Sequence, residues 1–181
     1  MERDLIKKAK SGDVEAFEQL IRKYEQKIYN IALYFCRNPV EAEDISQMAI
    51  IKMFKSLKNF KEQSSLSTWI FRIVRNVFLD ECKKSFRRHE VEQIENFEFI
   101  DKKSAEEIAG RNQLFSWINS AIKKLPEKFR MVVVLCDMEG FDYKETAEIL
   151  NVPVGTVRSR LNRARRMLKE ILRNFSDNFF V

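Results

Sequence analysis

Apolar residues recur along this chain at spacings of three and four, and strand-like alternation at spacing two is absent. The charged segment up to Lys10 forms a short first helix that stops at Ser11-Gly12, and Asp13 is placed to cap the next one. Val14, Phe17, Leu20, Ile21, Tyr24, Ile28, Ile31, Ala32 and Phe35 then mark one face of a single long helix. Asn38-Pro39 closes it and opens a third: Asn38 as cap, Pro39 at the first helical position, Glu41 completing a capping box. The carboxylates of Glu41, Glu43 and Asp44 suit the positive end of that helix, which runs through Ile45, Met48, Phe54 and Leu57. Residues 58–67 read as a loop, and Ser67 can cap a fourth helix from Thr68-Trp69 to about Arg88. Its apolar positions are Ile70, Ile73, Val74, Val77 and Phe78.

Residues 89–103 are acidic and without a period, which predicts a linker. Ser104 and Glu107 form a capping box for a helix carrying Ile108, Phe115, Ile118, Ile122 and Leu125. Pro126 starts the next, with Phe129, Val132, Val133 and Cys136, ending at Glu139-Gly140. A helix-turn-helix pattern follows. Asp142 and Glu145 make a capping box, Ala147 lies where two helices cross closely, and Leu150 and Val152 flank the turn. Asn151 occupies the tight-turn position and tolerates a left-handed backbone, and Pro153 breaks the first helix. From about Gly155, Val157, Leu161, Ala164, Leu168 and Leu172 form one apolar stripe. The other faces carry Arg158, Arg160, Arg163, Arg165, Arg166, Lys169 and Arg173 against a lone Glu170. At about 28 Å, such a helix is long enough to lie in a major groove. The fold class expected is therefore all-α: two small helical domains, residues 1–88 and 104–181, joined by the acidic linker 89–103.

Charge sharpens the picture. The 181 residues carry a net charge of +6, yet residues 89–107 alone carry −5 and the remainder +11. A basic body divided by an acidic segment calls for a polyanionic partner, and for something else to meet the acidic piece. Thr156, Arg158, Ser159, Arg160, Arg163 and Arg165 on the last helix have the chemistry of phosphate and guanine contacts. On the fourth helix, Arg72, Asn76, Lys83 and Arg87 fall within roughly 60° of one another, with Trp69 bordering them. A surface helix of a bundle would explain the first basic stripe alone. Two stripes, one in each half, place nucleic-acid chemistry at both ends of the chain.

Enzymatic function is not expected. Paired carboxylates at metal spacing, a glycine-rich phosphate loop and a nucleophile–base pair are all missing, so neither metal nor cofactor is called for. His89 is the single histidine. Cys36, Cys82 and Cys136 show no paired spacing and read as reduced thiols packed as small apolar groups. No run of 18 apolar residues exists, so a soluble cytoplasmic protein without direct membrane insertion is expected.

Four motifs resemble one family in its own order. Gly12-Asp13, Ala16-Phe17 and Tyr24 come first, then Glu43-Asp44-Ile45-Ser46-Gln47. Leu66-Ser67-Thr68-Trp69-Ile70-Phe71-Arg72-Ile73 with Arg75-Asn76 is similar to the promoter-melting segment of bacterial RNA polymerase sigma factors of the extracytoplasmic-function type. Leu125-Pro126-Glu127-Lys128-Phe129-Arg130, Met138 to Tyr143 and Pro153 to Leu161 resemble that family's second DNA-binding domain. The resemblance implies that Asp44, Gln47, Ile51 and Phe54 dock on core RNA polymerase. Met48 and Ile50 depart from the Glu and Phe that the family often has there. It implies that Asn76 helps form a pocket for a flipped base of the minus-ten element. Trp69 would wedge into or stack on the melted strand, although a Trp near a helix start is more often part of a core, and Arg72, Arg75, Lys83, Lys84 and Arg87 would hold the strand. Thr156, Arg158, Ser159, Arg160, Asn162 and Arg163 would read the minus-thirty-five element. Core polymerase, promoter DNA and an anti-sigma factor are the partners implied. A stand-alone helix-turn-helix regulator, dimeric on a palindrome, is the rival reading.

Overall fold

The computed structural model describes residues 2–89 and 111–177, and within them every regular element is helical. Most of the expected linker, the Ser104–Glu107 cap and Ile108 lie outside the described residues. Helix α1 (Glu2–Lys10) precedes α2 (Val14–Arg22), which Asp13 caps by accepting from the Ala16 amide at 3.0 Å. The single long helix expected here is instead two, because α3 (Glu25–Cys36) starts anew after a tight turn at Tyr24. No glycine or proline marks that break. Helix α2 packs chiefly on α1, whereas α3 packs on α4 and α5, and one straight axis does not serve both.

Arg37, at φ 63°, ends α3 in the left-handed region, and Asn38 caps α4 (Pro39–Ser56) as its sequence predicts, accepting from the Val40 amide at 2.9 Å. A 3₁₀ turn (Leu57–Asn59) and a short loop lead to α5 (Leu66–His89). Its cap is Ser65, whose hydroxyl accepts from the Thr68 amide at 3.1 Å, and not Ser67. Leu66 is drawn into the core, which starts the helix earlier than the Ser67 signal suggests. His89, expected in the linker, is the last residue of α5.

In the second half, α6 (Arg111–Lys124) is followed by α7 (Glu127–Val133), which widens into a π turn at Val134–Met138. Gly140 takes φ +75°, then α8 (Tyr143–Leu150) and α9 (Val154–Asp177) form the helix-turn-helix. The apolar stripe of α9 packs on α6, α7 and α8, with Val157, Leu161 and Ala164 fully buried. The sequence pattern predicts two small helical domains joined by a linker. One continuous cluster runs through both, with α8 laid on α5 and α7 on α3.

Candidate nucleic-acid interface

The helix-turn-helix is held by local chemistry legible in its residues. The Asp142 carboxylate accepts from the Lys144 and Glu145 amides at 2.7 and 2.8 Å, while Glu145 accepts from the Asp142 amide at 3.1 Å. Asn151 sits at φ 51°, ψ 53°, so the Val152 amide turns back to the Ala147 carbonyl at 3.1 Å. This geometry presents Arg158, Ser159, Asn162 and Arg163 to solvent on one side of α9, with Thr156 and Arg160 half-buried beside them. Arg165 leaves that set. It makes a two-pronged pair with Asp137, at 2.5 and 3.0 Å, that ties α9 to the π turn.

The face of α5 is less open than its sequence suggests. Trp69 is 8% exposed and its ring leans on Phe60 at 5.1 Å, so the structure assigns it to the core and gives a base no surface there to stack on. Asn76 is half-buried and its amide oxygen already accepts from Arg75 at 3.0 Å, which leaves its amide nitrogen to donate. Desolvation by burial lowers the pKa of Arg75 from its ordinary value. Arg72 is half-buried, Lys83 is exposed, and Lys84 pairs with Glu81 at 2.6 Å. Arg87 lies on α5 beyond the described side chains.

On α4, Asp44 and Gln47 are exposed beside two large apolar side chains, Ile51 at 54% and Phe54 at 46% exposure. Asp44, Gln47 and Ile51 line an open groove of about 660 Å³, whose other wall comes from Phe78, Glu81 and Cys82 of α5. Phe54 is braced edge-on against Phe17 at 5.0 Å. An exposed apolar pair rimmed by carboxylates and an amide is suited to a partner helix. Cys82 reaches solvent at this groove, contrary to the expectation of a packed thiol, and all three cysteines are free.

Two polar residues make contacts between the halves that carried no signal in the sequence. Arg130, from α7, is 3% exposed and donates to backbone carbonyls of both halves. Glu145 reaches past its own capping box to the hydroxyls of Ser65 and Thr68, each at 3.3 Å. Their partners lie about 80 to 96 positions away, beyond any local pattern. Among the described residues no cluster of His, Cys, Asp or Glu could hold a metal, and no helix is long and apolar enough to cross a membrane.

An all-helical chain with a basic reading helix on a helix-turn-helix and a second polar-basic helix face defines a DNA-binding protein of two helical modules. The family description "Sigma-70 region 2" matches residues 20–88, and "Sigma-70, region 4" matches residues 115–168. The chain is 34% identical to the ECF RNA polymerase sigma factor SigW of Bacillus subtilis, covering 93% of this chain and 95% of the relative. It is 32% identical to the RNA polymerase sigma-H factor of Pseudomonas aeruginosa, over 94% and 93% of the two chains. In structure it matches the sigma factor RpoE of Bartonella quintana, solved with the anti-sigma factor NepR, at a TM-score of 0.77 and 26% identity. That match covers 88% of this chain and 98% of the other. The chain belongs to the sigma-70 family, among its extracytoplasmic-function sigma factors.

Proposed function

We propose that this chain joins core RNA polymerase in the cytoplasm and directs it to a subset of promoters, reading two short elements and trapping the melted strand. The observation that carries the reading is the pairing of a solvent-presented Arg158–Arg163 face on α9 with a distinct polar-basic face on α5. The rival, a regulator binding alone, would need only the first. In this reading Thr156, Arg158, Ser159, Arg160, Asn162 and Arg163 contact the minus-thirty-five element. Arg72, Arg75, Lys83, Lys84 and Arg87 hold the minus-ten strand, and Asn76 offers its amide nitrogen to a base edge. Melting without a motor costs a few kcal/mol for each unstacked base, which such contacts have to offset. The groove on α4, with Asp44, Gln47, Ile51 and Phe54, receives the polymerase. An anti-sigma factor covering these faces would regulate the chain; the RpoE of Bartonella quintana is itself solved in complex with an anti-sigma factor, NepR.

Transcription in vitro with core polymerase and genomic templates, followed by sequencing of the 5′ ends, tests the assignment. Discrete start sites sharing two upstream elements are expected. A chain that neither co-elutes with core polymerase nor changes where it starts would refute it.

A further inference from the structure

We propose that Arg75 locks the side-chain amide of Asn76 in one orientation, so that α5 takes an unpaired adenine or cytosine of the minus-ten strand and rejects guanine or thymine. The inference rests on the strand-holding role of α5 proposed above, and names the bases that face selects and the residue that decides it.

A guanidinium carries donors and no acceptor, so the group it bonds on an asparagine has to be the amide oxygen. Arg75 Nη1 donates to Asn76 Oδ1 at 3.0 Å. Successive side chains on a helix point about 100° apart, so Arg75 folds along the helix surface to reach its neighbour. It lies there half-buried, like Asn76 itself. Burial draws the pKa of Arg75 down, and no carboxylate is close enough to offset that. Among the described residues the Asn76 oxygen is its one hydrogen-bond acceptor and it has no ion pair. Turning the amide over would set N–H against N–H and strand a half-buried cation. The amide is therefore held with its NH2 group outward, and Nδ2 has no partner among the described residues.

A base read by donors alone has to present an acceptor. On the Watson–Crick edge of an unpaired base the central ring nitrogen decides this. N1 of adenine and N3 of cytosine carry a lone pair, whereas N1 of guanine and N3 of thymine carry a hydrogen. The first two accept from Asn76. The last two meet it donor to donor, and their carbonyl oxygens lie beside that hydrogen, so a bond to one is opposed by its neighbour. A donor desolvated without a partner costs more than an ordinary bond gains. With Arg75 gone, the same amide is free to turn its oxygen out and serve all four bases. Arg75 is thus a positioning residue that sets selectivity without touching the base, and its other N–H groups remain available to a phosphate.

The test uses the full chain bound to core polymerase and a fluorescent single strand carrying the minus-ten element of a promoter mapped by its start site. Each position of the element is varied through the four bases. Adenine and cytosine are also replaced by 1-deazaadenine and 3-deazacytosine, which lack the ring acceptor. One position should favour adenine or cytosine over guanine and thymine by about tenfold, and the deaza base there should bind about fivefold more weakly than its parent. Arg75→Met should cut that preference to about twofold or less while preferences at the other positions stay. Loss of its charge should in addition weaken binding to every strand alike, which is all that a plain phosphate contact would do. Should Arg75→Met not fold, Arg75→Gln releases the amide in the same way, because Gln can face Asn76 with either of its polar groups. Asn76→Asp, which has no donor, should remove the penalty of the deaza base. A deaza base bound as well as its parent at every position, or a preference left intact in the Arg75 variants, would overturn the lock. An unmodified chain that directs no start sites on core polymerase refutes the initiation reading, whereas one that initiates and fails on these bases refutes this inference alone.

Discussion

Asn151 and Arg130 show how differently two polar residues can be specified. Asn151 was legible because its demand is local: a turn at φ 51° tolerates Asn or Gly and penalises a Cβ without a side-chain amide. Asn151→Ala should lower unfolding stability by about 1–2 kcal/mol and Asn151→Gly by less than about 0.5, measured by urea midpoints. Arg130 was not legible, because nothing near it distinguishes a guanidinium bound for the interior from those on α9. Its burial draws its pKa down to about 10, so it stays charged at neutral pH. On α9, Arg158→Ala or Arg163→Ala should cost about 1–3 kcal/mol at one base pair and relax preference there alone, in binding to a panel of single-base variants. A uniform loss across the panel would make the residue a phosphate anchor. Cys82 reaches solvent, yet its surroundings disfavour the thiolate. Desolvation of its sulfur, with Glu127, Glu41 and Glu81 adding to it, pushes its pKa up to about 11. Less thiolate is present at pH 8, so iodoacetamide labelling of Cys82 should be slow there and accelerate through pH 11 and not pH 9.

Among the elements, those with terminal chemistry of their own followed the sequence. The Asp142–Glu145 box and the Asn38 cap sit where their residues place them. Asp142→Ala should therefore cost about 1 kcal/mol, up to about 2, in thermal or urea unfolding, with Glu145 losing its reciprocal bond. Elements whose bounds depend on neighbours departed from it. The apolar face from Val14 to Phe35 is unbroken in sequence, yet α2 and α3 divide at Tyr24 so that each packs on a different partner. The Ser65 cap displaced Ser67 because Leu66 had a core site to fill. On α4 the exposed apolar face gives its own test. Ile51→Glu should abolish co-elution with core polymerase while changing stability by less than about 0.5 kcal/mol, since the side chain is 54% exposed.

For the whole molecule, the uneven charge predicts a strong ionic-strength dependence. Each arginine of α9 that contacts a phosphate should contribute about 0.9 to the slope of log affinity against log salt, so replacing the exposed Arg166, which has no base-reading role, should flatten the slope by about that amount. How the halves meet lay beyond the sequence. Basic stripes on α5 and α9 are visible as periodicities, but which of the two roles open to Trp69 it takes, a stacking surface or a core ring, and Glu145 bridging to Thr68, depend on what packs opposite.

Most of the helices, the caps at Asn38 and Asp142, the turn at Asn151 and the basic stripe of α9 were settled by the chain alone, because each arises from residues within about four positions of one another. The break before α3, the burial of Arg130 and the joining of two modules through one core belong to the tertiary structure. Their partners, such as Tyr34 for Arg130 at 96 positions' distance, meet only once the chain has closed on itself.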